Sequence, residues 1–162
     1  MNIYDLVYGI TALSAGAIAL GWVITIIIIA VFYLLTSFAY YKALKMLNYQ
    51  YTWFAFIPFL RTYGLTAAIN PGNYDVNIVG INIQAGLFNC WWILTYVLRL
   101  VPAIGGLLGI VWSVLAGGYV FTSAYAILDN KMESEVKVLG YLSAIIGLIP
   151  IIKFLTVKYP EY

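Results

Sequence analysis

Arg61 and Arg99 are the charges set deepest in apolar sequence, and they have the most chemistry to offer. An ionisable side chain at membrane depth is costly, so by default it marks a function. A guanidinium carries five donors in a fixed fork, and the chemistry expected of Arg61 is contact with an anionic lipid head group or a partner's carboxylate. The mechanical alternative is snorkelling: Arg99 stands within a residue or two of a span end, and Arg61 can reach the interface. Asn82 and Asn89, seven apart, would share one helix face and should meet other helices or water there. Arg61, Arg99, Asn82 and Asn89 are thus the candidate ligand-contacting, lipid-contacting or pore-lining residues.

Other chemistries lack their parts. Histidine is absent, which removes the commonest metal ligand and general base. The acids Asp5, Asp75, Asp129, Glu133, Glu135 and Glu161 all fall in termini or expected loops, whereas a proton relay or an intramembrane protease needs a carboxylate within a span. Cys90 stands alone in an apolar stretch and reads as a small buried side chain. No glycine-rich phosphate loop or metal-ligand spacing occurs. The expectation is a protein that is not an enzyme and takes no metal or cofactor. A net charge of +2 gives no basic field for nucleic acid.

The elements that position these residues belong to a bilayer. Hydrophobic residues make up 64% of the chain and charged residues 9%, against about 45–50% and about 25% in soluble domains. Leu6 to Tyr41 carries no charge, and as one helix it would be about 54 Å long against a hydrocarbon core of about 30 Å. This run is too long for a signal-peptide core, so the first apolar segment is expected to stay in the mature protein. Spans are expected at approximately 18–41, 79–100, 104–128 and 138–156, in an all-α polytopic bundle forming a single domain over 1–162. The aromatic segment at approximately 50–69, with Pro58 and a central Arg61, reads as a re-entrant or interfacial hairpin. If it spans instead, there are five crossings and Arg61 sits at mid-membrane. Lys42 and Lys45 follow the first span, which puts the N-terminus outside and Lys42 in the cytoplasm.

Gly105, Gly109, Ser113 and Gly117 recur every four residues on the third span, and Gly140 with Ala144 gives the fourth a shorter version. Such ridges let helix backbones approach closely, within one chain or between subunits. Tyr and Trp near the expected span ends fit interfacial anchoring.

Lys42-Ala-Leu-Lys45, then Trp53-Phe-Ala-Phe-Ile57-Pro58-Phe59, a hairpin led by Trp91-Trp92 with Val101-Pro102, and a last span with Pro150 together resemble a loose group of small bacterial multi-span membrane proteins. The group's function is unknown, and its mark is a Trp-led Ile-Pro-Phe re-entrant hairpin. Arg61 stands where that group often has asparagine. The resemblance implies a bacterial cytoplasmic membrane and four spans with a re-entrant hairpin, and no activity. The function expected is a non-catalytic interaction, accessory, immunity or exclusion-type subunit whose partners are membrane lipids and either its own copies or another membrane protein. The competing expectation is a homo-oligomeric channel or small transporter component.

Overall fold

Aliphatic residues with no proline allow one long N-terminal helix, α1, Ile3–Met46. It stops where Asn48 takes a left-handed conformation (φ 55°), which the short amide side chain tolerates. The computed structural model describes residues 3–158, and it divides the chain into two compact units, Met1–Leu35 and Thr36–Tyr162. In the first, every side chain from Gly16 to Leu35 is exposed, and nearly all are apolar.

The second unit begins with the end of α1, which buries Ser37, Ala39, Tyr40, Ala43 and Leu44 on the three-and-four spacing of one helix face. A short 3-10 turn, Thr52–Phe56, leads through the extended residue Ile57 into α2, Pro58–Ile69, whose first residue is the one proline a helix start accepts. Strands β1 (Val76–Ile78) and β2 (Ile81–Ile83) pair antiparallel, Asn77 opposite Asn82. Then come α3 (Ala85–Phe88), α4 (Trp91–Arg99), α5 (Gly105–Asp129), α6 (Glu133–Ile145) and α7 (Leu148–Thr156). Seven α-helices among the described residues make the chain helical apart from that hairpin. Two of them are long and apolar enough to cross a membrane, Gly16–Met46 and Gly105–Asp129.

Two expected spans differ from what is found. Residues 79–100 are not one helix. Val76-Asn-Ile-Val-Gly-Ile-Asn-Ile83 alternates with period two about a two-residue turn, and Val79 and Gly80 both take positive φ (51° and 82°), the geometry that matches the twist of a hairpin. The helical part is left to α3 and α4. Residues 138–156 are also broken. Pro150 has no N–H to give the Ile146 carbonyl, and its ring would strike that carbonyl in a continuous helix. Ile146 therefore turns extended (φ −111°, ψ 95°), and α7 starts afresh with Pro150 in its first turn, where the missing donor has no partner to lose. The two pieces double back. Gly117 lies against Ala144, yet Lys153 returns to pair with Asp129 at 2.6 Å, beside the start of α6.

The core of this unit gathers around α5. Tyr125, Phe88, Phe154, Leu44 and Leu65 are its largest fully buried side chains. Phe154 of α7 packs edge-on to Tyr40 of α1 (5.3 Å between ring centroids) and to Tyr125 of α5 (5.6 Å). Lys42 donates to the Leu155 carbonyl at 2.7 Å, a cation placed at a helix C-terminus. The C-terminal ends of α1 and α5 thus meet at α7.

Candidate functional site

The small-residue ridge of α5 is spent within the chain. Gly105 and Gly109 lie under α4: a Cβ on Gly109 would come within 2.6 Å of Arg99 Cγ, and one on Gly105 within 2.6 Å of the Leu98 carbonyl. Gly117 meets Ala144 of α6, and Gly140 of α6 meets Thr122 of α5. These close approaches fix α4 antiparallel to the first half of α5, a pairing tied by the Trp112 indole donating to the Trp91 carbonyl at 2.9 Å.

That pairing forms one wall of a cavity of about 270 Å³. Trp91, Trp92, Thr95, Tyr96 and Arg99 line it from α4, Ser113, Val120 and Phe121 from α5, Thr62 and Leu65 from α2, and Tyr40 from the end of α1. Trp92, Thr95, Tyr96 and Arg99 fall there because residues three, four and seven apart share a helix face. Trp92 is also held from α2 by Phe59, stacked at 5.2 Å.

The polar groups of this lining are hydroxyls, two indole N–H groups and one guanidinium, with no carboxylate. Thr95 is only 7% exposed, and its hydroxyl has no hydrogen-bond partner among the described residues. The buried indole nitrogens of Trp91 and Trp92 likewise have none. Arg99 lies with its guanidinium carbon 5.9 Å from the Tyr96 ring centroid and has no carboxylate partner among the described residues. Arg61 is outside the lining, and its guanidinium lies 5.6 Å from the ring centroid of Tyr40, which belongs to it. Each buried donor or hydroxyl left unpaired costs about 1–3 kcal/mol, so the group as a whole is poised for an acceptor. Such a set can pair with acceptor-rich, negatively charged groups.

The sequence pointed to both arginines; Arg99 lines the cavity, and Arg61 packs on the Tyr40 ring without lining it. Asn82 and Asn89 do not share a helix face: Asn82 is in β2, exposed, accepting from the Asn77 amide at 2.6 Å. Asn89 follows α3, buried, its carbonyl oxygen unpaired, and lines a separate cavity of about 310 Å³ with Asn48, Tyr49, Gln50, Asn70 and Asn73. Burial there, with Tyr63 and Tyr51 nearby, pushes the Tyr49 phenol above its ordinary range. Thr95 and Tyr40 were missed as site residues, although Thr95 stands four residues before Arg99 and Trp92 seven before it, a legible helical stripe. Nothing local in sequence marks Tyr40.

Compared with protein-family models, curated proteins and solved structures, the chain matches none.

Proposed function

We propose that the chain is a non-catalytic integral membrane protein that works by binding, as an accessory-type or interaction subunit holding a ligand in the Arg99 cavity. The observation that carries this reading is the unpartnered Thr95 hydroxyl, buried beside Arg99 and two free indole N–H groups. A donor set with one fixed charge suits binding and orientation more than proton transfer.

The membrane topology that goes with this reading has several passes. The N-terminus is outside, and α1 brings Lys42 and Lys45 to the cytoplasm. The meeting of Lys42 with α7, and of Lys153 with Asp129, supports a common cytoplasmic end for α1 and α5. Between them the chain returns outward through the broken stretch that ends in α4, and α6 with α7 dips in and comes back. Lys131 and Lys153 then both lie inside with Lys42.

The test is native mass spectrometry of the protein extracted directly into lipid nanodiscs, with every co-purifying species identified. A stoichiometric non-covalent companion, small molecule or protein, is expected on the wild type. A bare chain, unaltered by any membrane extract, would contradict the binding reading.

A further inference from the structure

We infer that the Arg99 cavity is the head-group site of an anionic phospholipid, whose acyl chain lies in the apolar groove along the other side of α4. The inference rests on the reading of that cavity as a binding site and names its ligand class.

The charge argument comes first. Arg99, Thr95, Trp91 and Trp92 line the cavity, which has no carboxylate, and the Thr95 hydroxyl and both indole nitrogens are buried without a hydrogen-bond partner among the described residues. Indole and guanidinium nitrogens only donate, so the ligand that satisfies them must offer several acceptor atoms close together. A phosphodiester does so, and its charge matches the fork of a guanidinium. Arg61, 5.6 Å from the Tyr40 ring centroid, adds a second positive charge outside the lining. A neutral or cationic ligand would leave these charges unanswered.

The apolar argument is independent. A groove of about 580 Å³ runs beside the cavity, lined by Ile83, Leu87, Leu94, Val97 and Trp112, with Trp91 common to both. Its walls are almost wholly hydrocarbon and aromatic, and Val97 and Leu87 stand 52% and 69% exposed. α4 therefore separates a donor-lined face from an apolar one, as a molecule with a charged head and a hydrocarbon tail requires. An acyl chain from the surrounding bilayer reaches this groove without leaving the hydrocarbon, whereas a small soluble anion has no use for it.

The experiment uses the full chain stripped of lipid in detergent, then offered equimolar phosphatidylglycerol and phosphatidylcholine and weighed by native mass spectrometry. One phosphatidylglycerol per chain is expected, in preference to phosphatidylcholine. Arg99→Gln should weaken its binding by about tenfold or more, the measure of a lost charged hydrogen bond. Thr95→Val, nearly isosteric and therefore safe for folding, should weaken it by about threefold to tenfold. Val97→Ser should loosen the lipid with no change of charge, and Lys137→Gln, which lines other cavities, should leave it as it was. Equal retention of the two lipids would overturn the assignment. So would wild-type retention by both Arg99→Gln and Thr95→Val, or displacement by inorganic phosphate at concentrations comparable to the lipid's, which would make the cavity an oxyanion site filled from solution. A different stoichiometric ligand at the cavity would leave the binding reading standing and remove the lipid.

Discussion

Thr95 holds a hydroxyl away from water with nothing among the described residues to bond it, and Ser143 is its counterpart with every need met. Ser143 shares a 2.8 Å hydrogen bond with the Tyr125 phenol and donates to the Leu139 carbonyl. The two sites predict opposite signs for the loss of a hydroxyl. Thr95→Val should raise the melting temperature of ligand-free protein in detergent, by the equivalent of about 1 kcal/mol, because an unpaired polar group is removed without a cavity. Ser143→Ala should lower it by about 1–3 kcal/mol, because it strands the fully buried Tyr125 phenol. A Thr95→Val protein that melts lower than wild type would show that the hydroxyl has a structural partner and is no ligand contact. The pair Lys153–Asp129, with side chains 24% and 16% exposed, is the third residue-level case. Removing either charge alone, Lys153→Met or Asp129→Asn, should cost about 1–3 kcal/mol, between the surface and buried limits. The double variant should recover part of that loss in a mutant cycle measured by thermal melting.

At the scale of elements, the hairpin is held by a costly residue. Val79 sits at φ 51°, where a β-branched side chain is strained, followed by Gly80, and Val79 is 75% exposed, so it gives little packing in return. Val79→Asn should raise thermal stability by about 1 kcal/mol, since Asn-Gly is the favoured pair for this turn. Gly140→Val should act in the other direction and strongly. Its side chain would enter the space of Thr122 and its backbone nitrogen, prising α6 from α5, which circular dichroism and melting would both register. These elements also mark how far the sequence could be read. The two long apolar helices were plain from length and hydropathy, and the 50–69 segment was legible as interrupted because Pro58 interrupts it. Residues 79–83, the second half of this hairpin, read as the start of a helix because in an apolar chain hydropathy alone swamps a period of two, although the mirrored Asn77 and Asn82 carry it. The break at Ile146 was readable from Pro150, yet its consequence was not, because a reversal depends on Phe154 finding Tyr40 and Tyr125 from distant sequence. The same limit applies to the site: a stripe on α4 can be read locally, but that Tyr40 faces it, with Arg61 packed on Tyr40, depends on tertiary packing.

For the whole molecule, the proposed topology predicts which charges share a side of the membrane. In a Cys90→Ala background, single cysteines at positions 45, 131 and 153 should all be labelled by a membrane-impermeant maleimide from the cytoplasmic side only. Labelling of position 153 from the opposite face would contradict the doubling back of α6 and α7 and restore a continuous last span. The ridge from Gly105 to Gly117 is occupied by α4 and α6, so association with another membrane protein has to draw on other surfaces, the exposed apolar stretch Gly16–Leu35 among them. In the function proposed, what the molecule does nevertheless turns on the cavity beside α4. The most direct measurement is a high-resolution electron cryo-microscopy map of the protein kept in native membrane nanodiscs. Density for a bound molecule is expected in the cavity, with an oxygen-rich group within hydrogen-bonding distance of Thr95 Oγ1 and the Arg99 guanidinium. A cavity closed by its own side chains, with Thr95 bonded inside the protein and Arg99 turned out to the interface, would contradict the account.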